Sequence, residues 1–147
     1  MNITRGGTWV LFMLRIVTGM HFLIMGYTYF TTKGWSIVPL IQKSAFADGF
    51  YSLLTTPGIS NIIDSWLPIL LMTGGVLILL GLWMHIGIYI TLATTVLFTL
   101  PTLPAQLSYP YAELFTHNTI IILCLLVLYF LHVDEHFGLG ANVTIKR

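Results

Sequence analysis

A chain of 147 residues that is 56% apolar and only 7% charged cannot build the polar shell of a soluble domain, in which roughly a quarter of the residues carry charge. A formal net charge of +1 says nothing about nucleic acid, but no basic run is present to bind phosphates, so no nucleic-acid partner is expected. The single cysteine, Cys124, excludes an intrachain disulfide and a thiolate-bound iron–sulfur centre held by this chain alone. The composition predicts an integral membrane protein with one domain over 1–147.

The first predicted transmembrane helix runs over about 9–30, and it is too long and lacks the small-residue site expected of a cleaved signal. It carries Arg15 and His21, and ionisable groups at that depth are expected to face protein. Arg15, Gly19, Phe22, Gly26 and Tyr29 share one helical stripe. Residues 31–65 read as a long amphipathic connection lying at the membrane surface and broken at Thr56-Pro57-Gly58. The second helix is predicted over 66–82 with Pro68 in its first turn. Gly74 and Gly81 repeat the spacing of Gly19 and Gly26, which predicts close helix packing along two glycine seams. A turn at Met84-His85 leads to a third helix over 86–100, ended by Pro101 and Pro104. The fourth runs over 114–131 before a polar tail. The fold class is therefore an all-α membrane protein, a four-transmembrane-helix antiparallel bundle with a long amphipathic loop between helices one and two.

Arg5, Arg15, Lys146 and Arg147 lie at one end, against Lys33 and Lys43 at the other. The excess predicts a multi-pass protein of the cell membrane with both termini cytoplasmic. Trp9, Trp35, Trp66 and Trp83 fall near the predicted interfaces.

Five histidines invite a cofactor reading. His21, His85, His117 and His132 are the haem candidates, but axial ligands must share a depth. By helical rise, His21 and His117 are expected to be staggered by about 10 Å. A b-type haem is therefore the weaker alternative. His132-Val133-Asp134-Glu135-His136 spells the inverted zinc-protease pattern, yet the residues after it supply no further ligand, so no metal site is assigned. Arg15 is the leading candidate to donate hydrogen bonds to a polar head group, with Asp134 or Glu135 able to reach it. Asp64 and Glu113 read as charges favouring helix N-termini.

The sequence resembles the DoxX family. The resemblance rests on Leu14-Arg15, Gly19 and Gly26 in helix one, and on Gly74-Gly75 with Leu80-Gly81-Leu82 in helix two. Trp35-Ser36, Phe46-Ala47, His117 and Phe137-Gly138-Leu139 bring it closer to the DoxD-like large subunit of thiosulfate:quinone oxidoreductase. Met72, Tyr27 to Tyr29 and Gly140 depart from that pattern, where the family carries polar or acidic residues. The resemblance implies a membrane subunit of a quinone-linked redox enzyme, taking electrons from a sulfur compound or a partner protein. Other membrane or periplasmic subunits would carry the redox chemistry, and quinone is the implied cofactor. Arg15 would orient the head group, or Tyr29, Trp35 and His117 would surround it in an outer pocket at a different depth. The missing acids favour an alternative in which the chain is a non-catalytic accessory subunit that stabilises a larger complex.

Overall fold

The computed structural model describes residues 5–42, 49–99 and 111–131. They form six helices: α1 (Arg5–Thr31), α2 (Val38–Gln42), α3 (Phe50–Leu54), α4 (Pro57–Leu80), α5 (Met84–Thr99) and α6 (Tyr111–Phe130). No strand occurs among the described residues. Two apolar stretches, Trp9–Thr31 and Pro57–Leu80, are long enough to cross a membrane, and Met84–Thr99 and Thr116–Phe130 are shorter apolar helices.

Local chemistry sets the helix ends. At the end of α1, Thr28, Thr31 and Thr32 donate their hydroxyls to the carbonyls of Ile24, Tyr27 and Thr28 at 2.7–2.9 Å. Those bonds occupy carbonyls of the last turns. The sequence places the second helix at Trp66, but α4 starts at Pro57. Proline suits a first helical position, where its missing N–H is an orphan anyway. The Thr56 carbonyl accepts the first helical bonds, from Ile59 and Ser60, at 2.9 Å. Thr56-Pro57-Gly58 is thus a helix start, and Pro68 lies in the helix interior, not the first turn. The turn expected at Met84-His85 instead occupies Gly81–Trp83, and both residues belong to α5.

Close backbone contact holds three helices together. A Cβ on Gly19 would stand 3.0 Å from the Gly75 carbonyl oxygen, and one on Gly26 would stand 2.7 Å from that of Pro68. A Cβ on Gly75 would meet the Gly19 oxygen and the Leu23 nitrogen at 2.8 Å. Since Gly19 faces Gly75 while Gly26 faces Pro68, α1 and α4 run antiparallel. Gly74 turns the other way, towards Gly87 and Thr91 of α5. The partner of Gly19 is therefore Gly75 and that of Gly26 is the Pro68 carbonyl, and Gly74 serves a second seam. Gly81 is in neither: it caps α4 at φ 66°, giving its N–H to the Leu77 and Ile78 carbonyls. α6 packs on α5 and on α1, which closes a ring of four helices. Phe22, Leu71, Ile78, Ile88, Leu125 and Leu128 fill its centre.

The outward face of α1 is apolar, with Met13, Val17 and Ile24 all more than half exposed. Inside, Thr91, Thr95 and Thr99 are buried, and each gives its hydroxyl to the carbonyl one turn back, at 2.7–2.9 Å. A polar side chain satisfied by its own helix is tolerated in apolar surroundings.

Replacing Gly75 by leucine is expected to cost at least the roughly 1–3 kcal/mol of an overpacked core, because the atoms it meets are backbone and cannot move aside. Gly58→Ala, in open space, is expected to leave stability unchanged. Thermal unfolding of both variants in detergent, followed by helical circular dichroism, checks the contrast.

Candidate functional site

The connection after α1 folds back over the end of the ring. Gly34 adopts φ 76°, a conformation that suits glycine, and Trp35 returns to stack on Tyr29 at 4.5 Å with 17° between ring planes. Ser36 accepts from the Val38 N–H at 3.2 Å and Asp64 of α4 accepts from the Ile37 N–H at 2.9 Å. Both N–H groups sit where α2 begins and lack helical partners. Asp64 thus serves a helix N-terminus, but that of α2 and not its own. Ile37 and Ile41 are fully buried and lock α2 down. On α3, burial pushes the Tyr51 phenol above its ordinary pKa.

Beneath this flap lies a cavity of about 200 Å³. Tyr29, Trp35, Ser36 and Ile37 form one side, and Met25, Phe98 and Asn118 form the other. Asn118 is 5% exposed and makes no hydrogen bond among the described residues. A buried primary amide has two donors and an acceptor to satisfy, so here they are offered to whatever enters the cavity. A narrower gap of about 10 Å³ continues downward past His21, Thr95 and Asn118.

The sequence-predicted residues separate into groups. Tyr29 and Trp35 line the cavity together. His117, adjacent to Asn118, points instead at His21: their ring centroids are 5.1 Å apart. The expected 10 Å stagger is wrong: the two rings share a level, and the start of α6 at Tyr111, three residues earlier than expected, accounts for about 4.5 Å of the difference. The depth argument against a shared ligand falls with it. Arg15 is far from the cavity: fourteen residues of α1 separate it from Tyr29, about 21 Å of helix. It is 3% exposed, with its guanidinium carbon 5.1 Å from the Phe12 ring centroid. A guanidinium over an aromatic face is a favourable contact. Asp134, Glu135 and His132 lie outside the described residues. His85 packs its ring on Tyr129 at 5.5 Å, and the Tyr129 hydroxyl shares a 2.9 Å hydrogen bond with that of Tyr89.

A second depression, of about 270 Å³, opens on the surface between α4 and α5. Its walls are almost wholly apolar, from Ile62, Trp66 and Leu70 across to Ala93 and Leu97, so it offers no chemistry. Among the described residues no three histidine, cysteine or acidic side chains converge.

No family model, curated protein or solved structure matches this chain. The site is therefore argued from its own geometry. Asn118 and Met25 were not singled out in the sequence. The signal for Asn118 is an amide next to His117 at the head of the apolar run from Ile120.

Asp64→Ala is expected to strand the buried Ile37 N–H, at a cost of about 1–3 kcal/mol, and to loosen the flap. Asp64→Asn keeps an acceptor and is expected to cost less. Faster amide hydrogen exchange at Ile37 and Val38 in the alanine variant checks this.

Proposed function

We propose that the chain is a multi-pass subunit of a quinone-linked redox complex in the cell membrane, with α1, α4, α5 and α6 as its four spans and both termini cytoplasmic. The proposal places the quinone head group in the cavity beneath the α1–α2 flap. The observation that carries the ligand is Asn118, a buried and otherwise unpartnered amide facing the stacked Tyr29–Trp35 pair. The resemblance to the DoxX family is what suggests quinone as that ligand.

The residues fit such a head group. It is a flat ring with apolar faces and carbonyl acceptors at its edge. The Asn118 amide and the Tyr29 hydroxyl are donors, and the Trp35 indole and Phe98 ring supply apolar faces. The volume suits a ring alone, being below the roughly 300–1,000 Å³ of sites that enclose whole ligands, so a prenyl tail would stay in the bilayer. When bound, the quinone would accept two electrons and two protons. This chain would bind and orient it, while a membrane or periplasmic partner delivers the electrons. Arg15, at the opposite end of α1, would serve the fold and not the ligand.

A second reading is an accessory subunit without a ligand. The apolar groove between α4 and α5 favours it, since a neighbouring helix could seat side chains there.

A photoactivatable short-chain quinone added to membranes is expected to label the segment from Met25 to Ile37. Asn118→Leu is expected to weaken binding about tenfold, the effect of one hydrogen bond of roughly 1.4 kcal/mol, with helical content retained. Fixed-stoichiometry co-purification with a large enzyme, no labelling and no effect of Asn118→Leu would establish the accessory reading instead.

A further inference from the structure

His21 lies near the middle of the apolar stretch Trp9–Thr31, about 18 Å of helix from Trp9. Its ring faces that of His117 across the seam between α1 and α6. Neither imidazole has a hydrogen-bond partner among the described residues, although His117 is exposed and His21 half-buried. A polar group left unsatisfied within a bilayer is costly. No acidic residue lines the adjoining cavities among the described residues. An imidazole can give one ring nitrogen to a metal, so two rings this close can supply two ligands to one ion.

The spacing of those rings permits a shared ion. Imidazoles bound to one tetrahedral ion at about 2.0–2.1 Å from each nitrogen have ring centroids about 5 Å apart. The observed distance is 5.1 Å. Met25 is one turn beyond His21 on the same face of α1, and its side chain lines the same narrow gap. Met25 thus lies beside His21, and a thioether added to an imidazole pair makes a soft donor set, which selects cuprous copper. Charge points the same way. A dication without an anionic ligand would bring two uncompensated charges into the membrane, and a cuprous ion brings one.

We propose that His21, His117 and Met25 bind a single cuprous ion at mid-height of the α1–α6 seam. The site is distinct from the Asn118 cavity above it and does not depend on quinone binding there.

The test uses the full chain in lipid nanodiscs under anaerobic reducing conditions, with cuprous ion titrated against a coloured cuprous chelator. One ion per chain is expected. His21→Gln and His117→Gln are each expected to weaken binding by about a hundredfold, and the near-isosteric Met25→Leu by about tenfold. Cys124→Ser is expected to leave it unchanged. X-ray absorption of the loaded protein should show two nitrogen neighbours and one sulfur. Because Met25→Leu conserves volume, it keeps the test decisive if a histidine variant fails to fold. Absence of binding, binding indifferent to Met25→Leu and to both histidines, equally tight zinc binding, or bound haem that requires both histidines would each overturn the proposal.

Discussion

Backbone meets backbone where Gly19 lies against Gly75 and where Gly74 lies against Gly87, and the rest of the molecule is arranged around those two contacts. With no hydrophobic driving force between helices in lipid, helix association relies on van der Waals contact, and small residues permit it. Gly74 and Gly75 are adjacent in α4 and so face different neighbours, about 100° apart on the helix. One residue pair thereby fixes α4 between α1 and α5. Gly26 against the Pro68 carbonyl extends the first seam by two turns. Once α1 and α4 are clamped, the chain after Thr31 has to cross the end of the ring. The Asp64–Ile37 bond and the buried Ile37 and Ile41 hold it there. The roof of the cavity is thus a consequence of the seam below it.

Much of this was legible in the sequence, and its failures have physical causes. Apolar length located α1, the later part of α4, α5 and α6, and the glycine spacing marked the residues of close approach. What was misread is the start of α4. Proline and glycine at 57 and 58 signal either a break or a helix N-terminus, and the break was taken, which left Ser60, Asn61 and Asp64 in the surface connection. Those residues are helical because they sit at the end of the bundle, where Asp64 caps α2 and Ser60 is buried. The glycine repeat misled in a similar way. Spacing groups Gly81 with Gly74, but backbone conformation decides, and Gly81 is left-handed.

The site was legible in part. Tyr29 and Trp35 come together because Gly34 turns the chain back, an event that the motif order suggested but that only the fold completes. Arg15 drew attention as a charge in a span, yet its neighbourhood is the Phe12 ring and not a cavity. The pairing of His21 with His117 was hidden in part by a helix-boundary error: three residues at the start of α6 move His117 by nearly a turn, about half of the expected stagger.

Polar groups inside an apolar bundle must be answered by something, and following each one to its answer narrows the functional region. The buried threonines of α5 are answered by their own helix. Tyr89 and Tyr129 answer each other, and Asp64 answers the start of α2. His21, His117 and Asn118 have no such answer among the described residues, and all three lie on the α1–α6 side. Stability alone does not account for the buried Asn118 amide, since leucine would pack there at lower cost. The convergence of the three is what a bound group would explain: an amide facing the cavity above, and two imidazoles facing each other below. The two gaps meet at Asn118, so the helix turn that carries His117 and Asn118 addresses both at once.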